Sequence, residues 1–156
     1  KWRSLVEGYR LPLHIFRLPG IYGPQRSSLT QIQNGLSRRI IKPDHKFNRI
    51  HVDDIVNTLY LSMHSPKTGA IYNIADDEPA APSDVIVFAC GLLGVKPPPP
   101  IPFEIAKKDL SDMALSFWHD NRRVSNKLIK KELGVVLNYP SYREGLTAIY
   151  EEELLI

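Results

Sequence analysis

The fold of this chain is indicated by the stretch Arg17-Leu18-Pro19-Gly20-Ile21-Tyr22-Gly23-Pro24, read together with Asn48-Arg49-Ile50-His51-Val52-Asp53-Asp54 further along. The apolar run over residues 13–18 stops at a Pro-Gly pair, which predicts a buried strand that ends in a turn. The run over residues 47–52 predicts another strand, and Asp53 is expected to cap the helix that follows. Each stretch is therefore predicted to lie at the carboxyl end of a strand.

Helical and strand patterns alternate around these junctions. Ser28 is expected to cap a short helix that ends near Gly35, and residues 70–75 predict a third strand. The helix after Asp53 is predicted to bury an apolar face made of Ile55, Val56, Leu59, Tyr60 and Met63. Such alternation favours an α/β fold with parallel strands and helical crossovers.

The composition narrows the class of protein and its partners. With 156 residues, 43% of them hydrophobic and 24% charged, the chain suits one globular domain. Its 20 basic and 17 acidic side chains show no basic face, so we expect no nucleic-acid partner. The single Cys90 cannot form an internal disulfide, and no run of residues is apolar enough for a membrane span or a signal peptide. We therefore expect a cytoplasmic protein without a membrane partner.

Four segments, in the same order, resemble the C-terminal part of an extended or atypical short-chain dehydrogenase/reductase, the NAD(P)-dependent epimerase/dehydratase group. Residues 17–24 resemble its Arg-x-x-Asn-x-Tyr-Gly-Pro segment, and residues 50–54 resemble its Ile-His-Val-Asp-Asp junction. Residues 72–75 resemble a later strand, and residues 133–146 resemble the closing Leu-Gly and final helix. The resemblance covers nearly the whole chain and implies an N-terminal segment that precedes it in the intact protein.

The resemblance implies the C-terminal part of a doubly wound Rossmann-type parallel sheet together with a small helical substrate-binding lobe. Residues 1–95 would hold the strands and helices of the sheet, with a substrate-lobe segment interleaved at about residues 25–52. Residues 96–156 would form the rest of the helix-rich lobe and the closing helix. The proline-rich run over residues 96–102 is predicted to be a stiff extended connector.

The resemblance also implies NAD or NADP as the cofactor of the intact protein. Its nicotinamide carboxamide would face the main chain around Pro19, Gly20 and Ile21, with Tyr22 in the wall of the site. A glycine allows close approach of the backbone to a ligand. The other interpretation of these residues is a turn that simply ends a strand.

Two departures from the family pattern bear on the substrate. Family members that act on nucleotide sugars often carry an arginine where this chain has Phe47, and Gly20 stands where asparagine is usual. We therefore expect a small-molecule substrate other than an ordinary nucleotide sugar. Arg26 is the best candidate to meet an anionic group, whereas strand alternation would place Arg49 on the same face as Phe47.

No catalytic residue is predicted within this chain. It contains neither a glycine-rich phosphate loop nor the Tyr-x-x-x-Lys pair on which the family's proton transfer depends. His51, Asp53 and Asp54 are expected to have structural roles rather than to bind a metal, since no further histidine or cysteine lies at ligand spacing. We expect the chain to be inactive alone and the parent protein to be an enzyme.

Three alternatives remain open. The intact protein could be a non-catalytic NAD(P)-binding sensor, the chain could be a free-standing binding or assembly module, or it could be a proteolytic remnant. The first of these predicts a residue other than tyrosine at the upstream catalytic position. The resemblance further implies a homodimer in the intact protein.

Overall fold

The computed structural model describes residues 4, 8–9, 12–65, 67, 69–119, 121 and 123–154. Within them, short strands pair two by two, and each pair is parallel. The pairs are β1 (Ile15–Arg17) with β5 (Ile71–Asn73), β2 (Gly20–Tyr22) with β4 (Arg49–His51), and β3 (Ile40–Ile41) with β6 (Ile101–Pro102). The predicted α/β fold with parallel strands is therefore confirmed.

Helices connect these strands and fill the second half of the chain. They are α1 (Ser28–Gln33), α2 (Val52–Met63), α3 (Pro82–Leu92), α4 (Phe103–Ala106), α5 (Asp112–His119), α6 (Lys127–Leu133) and α7 (Tyr142–Leu154). A 3₁₀ turn over Lys107–Asp109 follows α4 directly. Across the described residues, no helix has the length and apolar character that crossing a membrane requires.

Two predicted helix caps were wrong in detail. Ser27 rather than Ser28 caps α1, because its side-chain oxygen accepts a hydrogen bond from the backbone N–H of Thr30 at 3.4 Å. His51 rather than Asp53 caps α2, and its Nδ1 accepts from the backbone N–H of Asp53 at 3.3 Å. Strand β4 runs into α2 without a linking residue, so the last residue of the strand takes the capping position.

The predicted apolar face of α2 was also wrong. Val56, Leu59, Tyr60 and Met63 are 60%, 40%, 58% and 75% exposed, and of the predicted face only Ile55 is buried. The helix instead turns a largely polar side inward, made of Asp54, Ile55, Thr58 and Ser62.

Buried Asp54 explains why α2 packs this way. Its carboxylate accepts the backbone N–H groups of Asn138 at 2.7 Å and Tyr139 at 3.0 Å. Such charge-assisted hydrogen bonds offset the cost of burying the carboxylate, and they fix the loop before α7 against the start of α2. Within the helix, the Thr58 hydroxyl donates to the Asp54 carbonyl at 2.7 Å.

Two helix ends in the second half of the chain follow from local chemistry. Gly134 ends α6 with φ +68°, a left-handed conformation that glycine adopts without steric cost. Before α7, the backbone N–H of Ser141 donates to the Glu144 carboxylate at 2.9 Å, and the Ser141 hydroxyl accepts from the backbone N–H of Arg143 at 3.1 Å. Ser141 and Glu144 therefore cap the start of α7 reciprocally.

Three apolar clusters form the core. The first joins β2, α1, α3 and α7 around Tyr22 and Leu146, and the second joins β4, β5 and α6 around Ile50 and Ile74. The third is small and consists of Ile40, Ala106 and Trp118, with Phe47 and Phe103 packed against it. Strand β3 also pairs with β6, so part of the segment over residues 25–52 lies beside the chain after residue 96. The domain boundary between residues 95 and 96 stays a prediction.

Candidate functional site

A cavity of about 600 Å³ lies at the carboxyl ends of β1 and β5. Arg17 and Asn73 end these two strands, face each other across the ladder and both line the cavity. Its other walls come from the chain around Gly20, from the residues that precede β4 and from the last turn of α5. In doubly wound sheets, ligands bind in the crevice outside the carboxyl ends of parallel strands.

A second cavity of about 420 Å³ adjoins the first. The two cavities divide the predicted site residues between them. Pro19, Gly20 and Phe47 line the first, whereas Gly20, Ile21, Tyr22, Arg26 and Arg49 line the second. Gly20 is the predicted site residue that borders both.

Gly20 lies in a strand and not in the turn that the sequence suggested. It begins β2, and its backbone N–H donates to the carbonyl of Asn48 at 3.4 Å. A Cβ at this position would lie 3.7 Å from that carbonyl oxygen, which is an ordinary contact. Gly20, Ile21 and Tyr22 all pair with β4, and of the four predicted cofactor residues only Pro19 and Gly20 border the first cavity.

Tyr22 contributes a buried ring rather than a reactive phenol. Its hydroxyl donates to the carbonyl of Ser141 at 3.3 Å. Burial chiefly raises the pKa of the Tyr22 phenol, and the nearby carboxylates of Asp76 and Asp54 raise the pKa further. The phenol therefore stays protonated at ordinary pH, which suits a wall residue and not a proton carrier.

Arg49 is largely engaged by the backbone. Its Nη1 donates to the carbonyls of Phe47 and Ala80, both at 3.2 Å. Burial lowers the pKa of the guanidinium, and the neighbouring Asp76 carboxylate opposes that change. The expectation that Arg49 shares a face with Phe47 stays a prediction, since β4 begins only at Arg49 and the two residues line different cavities.

Arg26 occupies the loop between β2 and α1. Its backbone pairs with Gly23 in both directions, at 3.1 and 3.2 Å, and Gln25 between them has φ +58°. Arg26 is exposed at the border of the second cavity. This tight turn fixes the backbone of Arg26 and leaves its side chain available to an anionic group.

Asp76 is a buried acid that the sequence analysis did not single out. Its Oδ1 accepts from the backbone N–H of Arg49 at 3.3 Å, and its Oδ2 has no partner among the described residues. Burial raises the pKa of this carboxyl from 3.8 to about 7, although Arg49 acts to lower the pKa. Asp76 is therefore a group that titrates near neutrality beside the site.

Other lining residues were missed for different reasons. Asn48 and Asn73 lie inside the motifs that were recognised, and their position next to strand ends was a usable signal. Ser116 and Phe117 reach the first cavity from α5, far along the chain, and no sequence pattern indicated this. The described residues contain no group of three or more histidine, cysteine or acidic side chains that could hold a metal ion.

Comparison with known proteins supports the fold, although no protein-family model matches the chain. The sequence is 30% identical over 97 residues to a 3-diazoavenalumate denitrifying reductase from a Streptomyces species, a match that covers 62% of this chain and 32% of that protein. A solved structure of a conserved protein of unknown function from Silicibacter pomeroyi is 49% identical, with a TM-score of 0.87. That match covers 98% of this chain and 52% of the other.

A dTDP-glucose 4,6-dehydratase from Bacillus anthracis, solved in complex with NAD, superposes with a TM-score of 0.71 at 19% identity. That match covers 97% of this chain and 48% of the dehydratase. The fold matches the C-terminal half of Rossmann-type epimerases and dehydratases. The chain spans about half the length of these structural neighbours and a smaller share of the reductase.

Proposed function

We propose that this chain is the C-terminal, substrate-binding part of an NAD(P)-dependent oxidoreductase or epimerase-like protein that acts on a small molecule. The observation that carries the proposal is the cavity at the carboxyl ends of the parallel strands β1 and β5, bordered by Pro19 and Gly20. The likeness to a reductase and to an NAD-bound dehydratase of the same fold supports it.

The residues at this cavity are compatible with the nicotinamide end of such a cofactor. Gly20 presents backbone without a side chain, and about 600 Å³ exceeds the volume of a nicotinamide ring alone. In this proposal Pro19 and Gly20 form the surface against the nicotinamide, and Ile21 and Tyr22 support that surface from the second cavity. The cofactor, when bound, supplies hydride donation or acceptance. Phosphate binding and proton transfer are assigned to the preceding segment of the intact protein.

The substrate of this proposal is not an ordinary nucleotide sugar. Phe47 cannot grip a diphosphate, and Arg49 already donates to two backbone carbonyls. Arg26, exposed beside the second cavity, is the side chain proposed to meet an anionic group. The proposal also includes a homodimer and a cytoplasmic location, the latter supported by the single, buried and unpaired Cys90.

A non-catalytic NAD(P) sensor is the second candidate. A residue other than tyrosine at the catalytic position upstream of this chain would favour it. A sensor and an enzyme share cofactor binding and differ in turnover.

The decisive experiment is a calorimetric titration of the native gene product with NADH and NADPH, followed by a turnover assay. We expect binding of at least one cofactor, and we expect Gly20→Val to weaken it by about tenfold, because Gly20 borders both cavities and the added side chain takes up space at their common wall. Gly91→Ala is the matched control, since a Cβ there meets nothing within 4 Å and Gly91 lies far along the chain in α3. Absence of binding to either cofactor would contradict the proposal.

A further inference from the structure

The first cavity presents aromatic surface to solvent. Phe117 is 60% exposed and Leu18 is 44% exposed, and both line the cavity together with half-buried Phe47. Apolar surface gathered in a concave site is characteristic of a ligand pocket, because a ligand that covers this surface releases water from it.

Phe47 is held rigidly by its neighbours. Its ring lies 4.6 Å from the ring of His45 and 5.6 Å from that of Trp118, both in edge-to-face geometry. Its backbone exchanges two hydrogen bonds with Ala80, each 3.0 Å long. This side of the cavity is therefore an aromatic surface that is in place before any ligand binds.

Phe117 is positioned by the residue that follows it. Trp118 is 8% exposed, and its ring stacks on those of His45 at 5.1 Å and Phe103 at 5.3 Å. Trp118 is the buried residue of α5, so it anchors the last turn of that helix and places Phe117 at the cavity.

One polar group in the cavity wall has an unused donor. Asn48 is 5% exposed, and its Oδ1 accepts from the backbone N–H of Val124 at 2.8 Å. Its Nδ2 is buried and has no partner among the described residues. A buried donor without an acceptor costs free energy, and a ligand oxygen would recover it once a rotation of the Asn48 side chain brings this donor to the cavity surface.

We propose that the substrate of this site is an aromatic carbonyl compound, whose ring packs against Phe47 and Phe117 and whose oxygen accepts a hydrogen bond from Asn48 Nδ2. This inference rests on the proposed function, in which Pro19 and Gly20 border the nicotinamide, and it assigns the part of the same cavity lined by Phe47, Asn48 and Phe117 to the substrate. Phe47 and Phe117 are then the residues that determine specificity. Ring contacts of this kind strengthen binding by more than their buried area alone would give. A donor that only the ligand can satisfy favours ligands that carry a carbonyl oxygen.

The test uses the native gene product and two ketones that differ only in the ring, acetophenone and cyclohexyl methyl ketone, with UDP-glucose as the nucleotide-sugar probe. Binding is measured by ligand-observed NMR with and without cofactor. We expect acetophenone to bind about tenfold more tightly than its ring-saturated counterpart and UDP-glucose not to compete with it.

Three variants and one control then locate the contacts. Phe117→Ala and Phe47→Leu should each weaken acetophenone binding by about tenfold, and Phe47→Leu keeps the apolar packing needed for folding. Asn48→Asp keeps the oxygen that accepts from Val124 and removes the donor, so it should weaken the binding of both ketones. Met113 lies on the same helix as Phe117, is 75% exposed and does not line the cavity. Met113→Ala should therefore leave binding unchanged.

The outcomes separate the two proposals. Equal binding of the two ketones, or equal effects of Phe117→Ala and Met113→Ala, would overturn the aromatic specificity even if NADH or NADPH binds. Acetophenone binding that depends on Phe117 and Asn48 in a protein that binds neither cofactor would refute the proposed function and leave the aromatic site standing.

Discussion

At the scale of single residues, Gly145 in α7 packs directly against Tyr22 in β2. A Cβ on Gly145 would overlap the Tyr22 hydroxyl and lie 2.7 Å from two of its ring carbons. We predict that Gly145→Ala lowers the free energy of unfolding by about 2 kcal/mol, because an overpacked core must shift to accommodate the methyl group. Urea unfolding followed by circular dichroism measures this loss.

The control for this prediction is the same change in a Tyr22→Ala background. There the methyl group has room, so Gly145→Ala should cost little. An equal loss of stability in both backgrounds would show that the overlap with Tyr22 is not the cause.

Asp76 gives a second prediction at this scale, concerning pH. Its pKa is raised from the ordinary value of 3.8 to about 7 in the folded protein, so the folded state holds a proton that the unfolded state releases between these pH values. The contribution of Asp76 to stability is therefore full below about pH 4, falls as the pH rises to about 7 and is constant above that. Asp76→Asn should remove this fall, which by linkage amounts to at most about 4 kcal/mol.

The measurement is the free energy of unfolding of both proteins from acid to mildly alkaline pH. His51 has a lowered pKa because of its burial, and its contribution rises with pH, opposite to that of Asp76. Both proteins contain His51, so the difference between them isolates Asp76. A difference that does not change with pH would mean that folding leaves the pKa of this carboxyl at its unfolded value. Besides burial, the charged groups that shift the pKa of Asp76 are Arg49, Asp77 and Glu78.

At the scale of elements, two glycines at the end of α3 allow a matched comparison. Gly91 lies within the helix with nothing near its Cβ position, whereas Gly94 lies beyond the helix with φ +65°. Gly91→Ala should raise the free energy of unfolding by about 0.5–1 kcal/mol, and Gly94→Ala should lower it by about 1 kcal/mol. Thermal unfolding of the two variants tests this. Changes of the same sign would contradict the assigned helix boundary.

The elements also show what the sequence could and could not predict. The strands within residues 13–18 and 70–75, the helix end at Gly134 and the Ser141–Glu144 cap follow from local chemistry, and the structure contains all of them, although the two strands are shorter than predicted and end at Arg17 and Asn73. The exposed face of α2 was not predicted, because apolar spacing cannot reveal that Asp54 meets two backbone donors from a loop more than 80 residues away.

The same distinction applies to the candidate site. Pro19 and Gly20 border the first cavity, because a strand end in a parallel sheet has a predictable place, and their contact with a cofactor stays a prediction. Phe117 reaches that cavity only because Trp118 anchors α5 in a cluster assembled from distant segments. Long-range packing of this kind leaves no local pattern in the sequence.

At the scale of the whole molecule, the exposed apolar face of α2 is expected to be buried against other polypeptide. Its four exposed apolar side chains are adjacent on one helix, and the chain spans about half the length of its structural neighbours. We predict that in the native gene product this face packs against polypeptide outside the described residues. Hydroxyl-radical footprinting should then modify Met63 and Tyr60 slowly in the native product and rapidly in the isolated 156-residue chain.

Met113 is the internal control for this footprinting, because it is 75% exposed, as is Met63, and lies on a different helix. It should react at a similar rate in both samples. Oxidation of Met63 in the native product at the rate of Met113 would mean that the face of α2 is open to solvent.

The hydrogen bond from Tyr22 to Ser141 spans 119 residues, and the cluster around it combines β2 near the start of the chain with α7 at its end. During synthesis on the ribosome, β2 emerges long before α7, so the first core cluster cannot close until α7 has been made. Until then, Tyr22 and Leu29 lack the surface that buries them. Newly made chains that stop early would thus expose the very residues on which proteases and chaperones act.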